Sequence, residues 1–240
     1  MTDTSMGTGK LNVGGVFSQA LATLQSKLLF FVFTGLMLGV ADLALNRPGS
    51  GGLLTAVGLV LALVVGAVGQ ILAVRATSGP LGADAGTEFV PAIQAALPKL
   101  APVLLTSLLV GILVGLGSLF LLIPGLILGV MFFVATVACV LEDHSPLEAL
   151  KRSRELTRGN RWRVFGLLVI LVLTALGVLL LTMIPAAIAG VVPGLGALVA
   201  RIVTSAAEGL VTVFLAITVT HAFLELRRLK DETTGTAPFV

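Results

Sequence analysis

Apolar runs of about 20 residues recur along this chain, each long enough for a helix to cross the roughly 30 Å hydrocarbon layer of a bilayer. They fall at about 28–45, 53–74, 101–121, 126–141, 164–184 and 197–224. Inside hydrocarbon every backbone N–H and C=O must bond within the protein, so a crossing segment is a helix or a strand of a closed barrel. Barrel strands alternate apolar and polar residues, and these runs do not alternate. The expected fold is therefore all-α: an integral membrane protein of about six transmembrane helices. Composition agrees, with 57% hydrophobic and 11% charged residues, against roughly 45–50% and about 25% in soluble domains.

The stretches between runs suggest the domain plan. Residues 1–13 read as a disordered cytoplasmic tail, 14–230 as a single six-span membrane domain, and 231–240 as a second cytoplasmic tail. Residues 14–26 form a weakly amphipathic segment ending at Lys27. The run at 28–45 reads as a retained anchor, because it lacks a small-x-small cleavage site and five more runs follow. Residues 46–52 are a turn by composition, and Pro124-Gly125 reads as the break between the third and fourth spans. In the polar stretch 76–99, Phe89, Ile93, Ala96 and Leu97 share a helical face. Pro185, Gly190, Pro193, Gly194 and Gly196 punctuate an apolar connector before the last span. Spans one, three and five each follow an amphipathic segment ending in a basic residue, which suggests three helical-hairpin repeats of roughly 65–70 residues with in-plane cytoplasmic helices.

Orientation follows from the basic residues, since Lys and Arg are retained on the cytoplasmic side. With the N-terminus inside, Lys10, Lys27, Arg75, Lys99, the six Lys/Arg of residues 142–163, Arg227, Arg228 and Lys230 are cytoplasmic, thirteen of the fifteen in the chain. Only Arg47 lies in an outer loop, and Arg201 lies within the last span. A multi-pass protein of a bacterial inner (plasma) membrane with both termini in the cytoplasm is expected. A pI near 9.5 then marks a face toward an anionic leaflet, not nucleic acid.

The loop 142–163, EDHSPLEALKRSRELTRGNRWR, is the most informative segment. Ser145 and Glu148 form a capping box with Pro146 at the first helical position, so a helix starts there. Gly159 is placed to stop it. Leu147 and Leu150 share one side, while Lys151, Arg152, Arg154 and Arg158 point largely elsewhere. Arg161 and Arg163 flank Trp162, an aromatic suited to the headgroup level. These seven residues are the candidate site. One reading is topological, with basic residues that hold the loop inside and snorkel to phosphates. The sharper one is an anionic-lipid or partner site, at about 1 kcal/mol per basic residue near the surface.

Leu122-Ile123-Pro124-Gly125, a span leading to Glu142, Ala149-Leu150-Lys151-Arg152-Ser153 and Leu156-Thr157-Arg158-Gly159-Asn160-Arg161-Trp162-Arg163 follow one another in that order. This segment resembles a bacterial membrane-domain family. That family includes the membrane domain fused to some glycerophosphodiester phosphodiesterases and small stand-alone inner-membrane proteins. The match covers residues 122–163; elsewhere the agreement is one of hydropathy layout. The resemblance implies a multi-span helical fold without a catalytic role. The fused relatives keep their chemistry in a soluble barrel that this chain lacks, so phosphodiesterase activity is not carried over.

Other ionisable residues are few. Arg201 and Glu208 lie seven apart on nearly the same face of the last span, with about 10.5 Å of rise between them, too far for a direct bridge. Intramembrane charges are functional candidates; Glu208 could instead bond a hydroxyl on a neighbouring helix. Asp42 lies near the outer end of span one, and His221 near the inner end of the last. Glu142, Asp143 and His144 are adjacent and point apart, so they do not form a metal site. Cys139, the single cysteine, reads as a small buried hydrophobe. Gly194-x-Gly196-x-x-x-Ala200 lacks the strand a dinucleotide loop needs. The small-residue pairs Gly35/Gly39, Gly111/Gly115 and Gly125/Gly129 suit close helix packing, or a homo-oligomer seam.

No cofactor and no catalytic constellation is visible. The expected function is a non-enzymatic inner-membrane protein whose basic cytoplasmic face contacts anionic lipids or a membrane-protein partner, in envelope or lipid homeostasis. The alternative is a small transporter or channel with Glu208 in its pathway.

Overall fold

The computed structural model describes residues 10–27, 32, 34, 52–79, 91, 93–191 and 195–234, without the side chains of 52–59, 62, 122, 185–201, 233 and 234. Every described element is helical. In order they are α1 (Val13–Ser26), α2 (Gly52–Ser78), a 3-10 turn (Leu97–Lys99) leading into α3 (Leu100–Phe120), α4 (Leu122–Met131), α5 (Ala135–Leu141), α6 (Pro146–Thr157), α7 (Arg161–Val191) and α8 (Leu195–Thr234). Among the described residues, four helical stretches are long and apolar enough to cross a membrane: Ile93–Phe120, Ile123–Leu141, Arg161–Ile184 and Ile202–Glu232; Leu63–Ser78 is a shorter apolar helix. The chain is an all-α membrane protein. The expected first span at 28–45, with Asp42, Gly35 and Gly39, lies outside the described residues apart from 32 and 34, as do Arg47 and most of 80–92.

α1 forms where the amphipathic segment is expected. Asn12 caps it, its Oδ1 accepting the Gly15 N–H at 3.0 Å. Val16 and Ala20 are buried. Phe17 meets Phe214 of α8 edge-on, with ring centroids 5.5 Å apart.

The α3–α4 hairpin turns at Leu121 (φ −160°, ψ 137°), not at Pro124-Gly125. Pro124 sits in the first turn of α4, where its missing N–H costs no helical bond. Gly125 is the contact point of the two helices: a Cβ there would lie 2.6 Å from the Ser118 backbone nitrogen. Gly111, Gly115 and Gly129 face open space among the described residues.

Two boundaries differ from the sequence reading. The fourth span is broken, with three turn residues at 132–134 between α4 and α5. The fifth runs through Pro185 and Gly190 to Val191, so most of the expected connector is helix. Gly196 and Arg201 belong to α8, whose 40 residues measure about 60 Å, roughly twice the hydrocarbon thickness.

Buried apolar residues concentrate toward one end of the bundle. Ile71 and Val74 of α2, Val103 of α3, Val137 and Ala138 of α5, Leu156 of α6, Leu167 of α7 and Ile217, Phe223 and Leu226 of α8 form a continuous core. Farther along α3 and α7, Leu116, Leu119, Phe120, Leu180, Leu181 and Met183 are exposed, as expected of surfaces that meet acyl chains.

Candidate functional site

The basic segments meet at the same end. The Lys27 ammonium donates to the Ala76 and Gly79 carbonyls at 2.6 and 3.1 Å, so residue 27 lies at the end of α2. Gln70 of α2 bonds Thr136 of α5 at 3.1 Å, which sets these two helix ends side by side. Lys99 pairs with Asp143 and donates to the Val140 carbonyl at 3.2 Å, bringing the start of α3 to the end of α5. The start of α7 and the far end of α8 arrive together through residues 11 and 12. Leu11 N–H donates to Asn160 Oδ1 at 3.0 Å, Leu11 C=O accepts from Arg163 Nη1 at 2.6 Å, and Asn12 N–H donates to Glu225 Oε1 at 2.7 Å. Thr23 of α1 bonds His221 of α8 at 2.8 Å.

α6 lies across this polar end. The Glu148 carboxylate reaches back to Ser145, accepting from its N–H at 3.0 Å and its hydroxyl at 2.7 Å. This capping box, with Pro146 behind it, starts the helix. The hydrogen bonds from Ser145 hold the Glu148 carboxyl below the usual carboxylate range. The helix stops at Gly159, whose φ of +97° suits only glycine without strain. Its buried face is Ala149, Leu150, Ser153, Leu156 and Thr157. Leu147 is not on that face: it is 70% exposed. The buried face is set by small and hydroxyl side chains that let α6 close on the 132–134 break. There Ser153 Oγ donates to the Met131 carbonyl at 2.9 Å and accepts the Val134 N–H at 3.3 Å.

Glu142 is the hub that fastens α6 and α8 to the end of α5. Its carboxylate accepts from Arg152 Nε at 2.8 Å and Nη2 at 3.1 Å, a fork-like pair. His144 Nε2 lies 3.0 Å away and Arg227 Nε 3.6 Å. Burial pushes the Glu142 carboxyl up, but the hydrogen bond and charge of Arg152, joined by the charges of Arg227 and His144, hold it below the usual range. The same hydrogen bond raises Arg152 further above its ordinary value.

The seven residues singled out in the loop therefore divide. Arg152 is engaged by Glu142, and Arg163 by the Leu11 carbonyl. Lys151, Arg154, Arg158 and Arg161 are exposed, and among the described residues none has a carboxylate within ion-pair distance. Leu147, Lys151, Arg154 and Arg158 stand at i, i+4, i+7 and i+11, one stripe on the outward side of α6. Beyond the Gly159 turn come Arg161 and Trp162, the latter 85% exposed and braced edge-on against Phe165, with centroids 6.0 Å apart. Cations flanked by an exposed Leu and an exposed Trp can hold phosphates while the apolar groups enter the interface.

The remaining candidates fall apart from this stripe. Glu208 is exposed on α8, and its carbonyl accepts the Thr212 hydroxyl at 2.8 Å; the Arg201 side chain lies outside the described residues. Among the described residues no group of three His, Cys, Asp or Glu is placed to hold a metal. Cys139 is buried. The sequence reading missed Glu142 as a hub, and Ser153, Thr157, Asn160 and Glu225 as positioning groups. Ser153 and Thr157 at i, i+4 on a highly charged helix were the available signal, marking a polar face too short to be a lipid-facing one.

No curated protein and no solved structure matches the chain. Residues 8–226 match the model of the family described as Domain of unknown function (DUF7847), a span that runs from before α1 into α8, and the chain belongs to that family.

Proposed function

We propose that this is a six-span protein of the bacterial inner membrane whose cytoplasmic face binds anionic lipid headgroups and so serves envelope or lipid homeostasis without chemistry of its own. Both termini and loop 142–163 lie inside in this reading, and 28–45 supplies the first span. The likeness of residues 122–163 to the glycerophosphodiester phosphodiesterase membrane domain belongs to the same proposal, as do the hairpin repeats, of which α3 with α4–α5 and α7 with α8 would be two.

One observation carries it. Where several basic residues of the polar end are engaged with protein partners, Lys151, Arg154, Arg158 and Arg161 have no carboxylate within ion-pair distance among the described residues, and they stand beside Leu147 and Trp162. A stripe kept only for topology has no need of that arrangement. At about 1 kcal/mol per basic residue, replacing three removes about 3 kcal/mol, or roughly a hundredfold in affinity. Reconstituted protein should retain phosphatidylglycerol over phosphatidylcholine in native mass spectrometry. K151Q/R154Q/R158Q should abolish that preference while the protein remains folded. Equal retention of both lipids by the wild type would refute the reading.

A further inference from the structure

α6 carries the exposed stripe on one side and the Ser153–Thr157 pair on the other, and the second side meets an unusual piece of backbone. In an uninterrupted α4–α5 helix, the Val134 N–H would donate to Val130 and the Ala135 N–H to Met131. Instead the Val134 N–H donates to Ser153 Oγ at 3.3 Å, and the Ser153 hydroxyl donates to the Met131 carbonyl at 2.9 Å. Thr157 Oγ1 adds a longer contact to that carbonyl at 3.4 Å, and the Ala135 N–H turns to Phe132 at 3.1 Å. One hydroxyl thus takes up two of the backbone groups that the break frees, the Val134 N–H and the Met131 C=O. Phe132 (φ −103°, ψ 12°) and Val134 (φ −105°, ψ 12°) occupy the sparsely populated bridge region.

Nothing in the local sequence requires this. Residues 131–135 are Met, Phe, Phe, Val and Ala, with neither glycine nor proline. Zipped into continuous helix, the same five residues would satisfy their own backbone. The contacts from Ser153 exist only while α6 is seated against the break. In low-dielectric surroundings an unsatisfied N–H or C=O costs several kcal/mol, so states between these two arrangements would be disfavoured.

The geometry points to a lipid-set hinge. Phosphate headgroups on Lys151, Arg154 and Arg158 keep α6 seated, and seated α6 keeps the 132–134 hinge open through Ser153. The inference rests on the lipid-binding reading above and deepens it. Its direction follows from the structure, where the stripe is presented and the latch closed at once. A headgroup can therefore bind the latched state without rearrangement, and differential affinity shifts the population toward it.

The test uses full-length protein in bilayers of phosphatidylcholine alone or of equal parts phosphatidylcholine and phosphatidylglycerol. Solid-state NMR carbon shifts of Phe132, Phe133 and Val134 report helix or turn, and native mass spectrometry of the retained lipid reports binding. Wild-type shifts should be turn-like with phosphatidylglycerol and move toward helical values without it. Ser153→Ala should give helical shifts in both bilayers. By reciprocity it should also weaken phosphatidylglycerol binding by at least about fivefold, the lower end of ordinary coupling between sites. Ser153→Thr, which keeps the hydroxyl, should behave as wild type. A wild type that prefers phosphatidylglycerol but shows the same shifts in both bilayers overturns the coupling and leaves lipid binding standing. A wild type without that preference removes both. The wild-type arms decide the matter even if Ser153→Ala does not fold.

Discussion

Replacing Glu142 by Gln tests how the polar end is held together. The carboxylate is 11% exposed and takes Arg152, itself 28% exposed, at 2.8 Å, with Arg227 at 3.6 Å. Removing one partner of a fully buried pair costs roughly 3–5 kcal/mol, because the other charge is stranded. An exposed pair contributes up to about 1 kcal/mol. This pair lies between those limits, at about 2 kcal/mol, which for a chain of this size lowers the unfolding midpoint by about 4–8 °C. Thermal unfolding in nanodiscs measures it, with Arg228→Gln as the control. That substitution breaks only the exposed Arg228–Glu232 pair, worth about 0.3–0.5 kcal/mol.

The pH dependence has a definite sign. Because Glu142 is held below its ordinary value, its contribution is complete above the unfolded carboxyl pKa of about 4.3. It is lost as pH falls through the lower folded value, since protonation removes the partner of Arg152. Glu142→Gln should lack that acid limb. The reasoning is refuted if Glu142→Gln unfolds within about 1 °C of wild type, or if it and Arg152→Met are additive to within about 0.5 kcal/mol.

Two glycines give sharper local tests. Gly125→Ala places a Cβ against the Ser118 backbone and should destabilise the α3–α4 hairpin by about 1–3 kcal/mol, read as a lowered unfolding midpoint; Gly129→Ala, in open space, should not. Gly159→Ala forces a side chain into positive φ, costs about 1 kcal/mol, and should weaken phosphatidylglycerol retention by moving Arg161 and Trp162 relative to α6.

What the sequence made legible was local chemistry. Ser145, Pro146 and Glu148 announce the start of α6, and Gly159 its end, because caps and positive φ depend on a few neighbouring residues. The 132–134 break was hidden, since the hydroxyl that meets it, that of Ser153, belongs to another helix and its own residues read as uninterrupted span. Proline misled twice. Pro124 lies inside α4, where no N–H is needed, and α7 continues through Pro185. Charge counting grouped Arg152 with Arg154, although they face different surroundings: Glu142 lies beside the first, and among the described residues no carboxylate pairs with the second. Only tertiary placement separates a cation held by the protein from one offered to a ligand.

The docking of residues 11 and 12 also constrains how the molecule is made. Asn12 bonds Glu225, 213 residues later in the chain, and Leu11 bonds Asn160, 149 residues later. At synthesis rates of roughly 5–20 residues per second, the partner of Asn12 emerges on the order of ten to forty seconds after it. Residues 11 and 12 therefore wait for partners made much later before they find their place. Closure of the polar end must follow insertion of α7 and α8, so truncation within α8 should leave α1 undocked and exposed to proteolysis, a defect that appears some 200 residues from its cause.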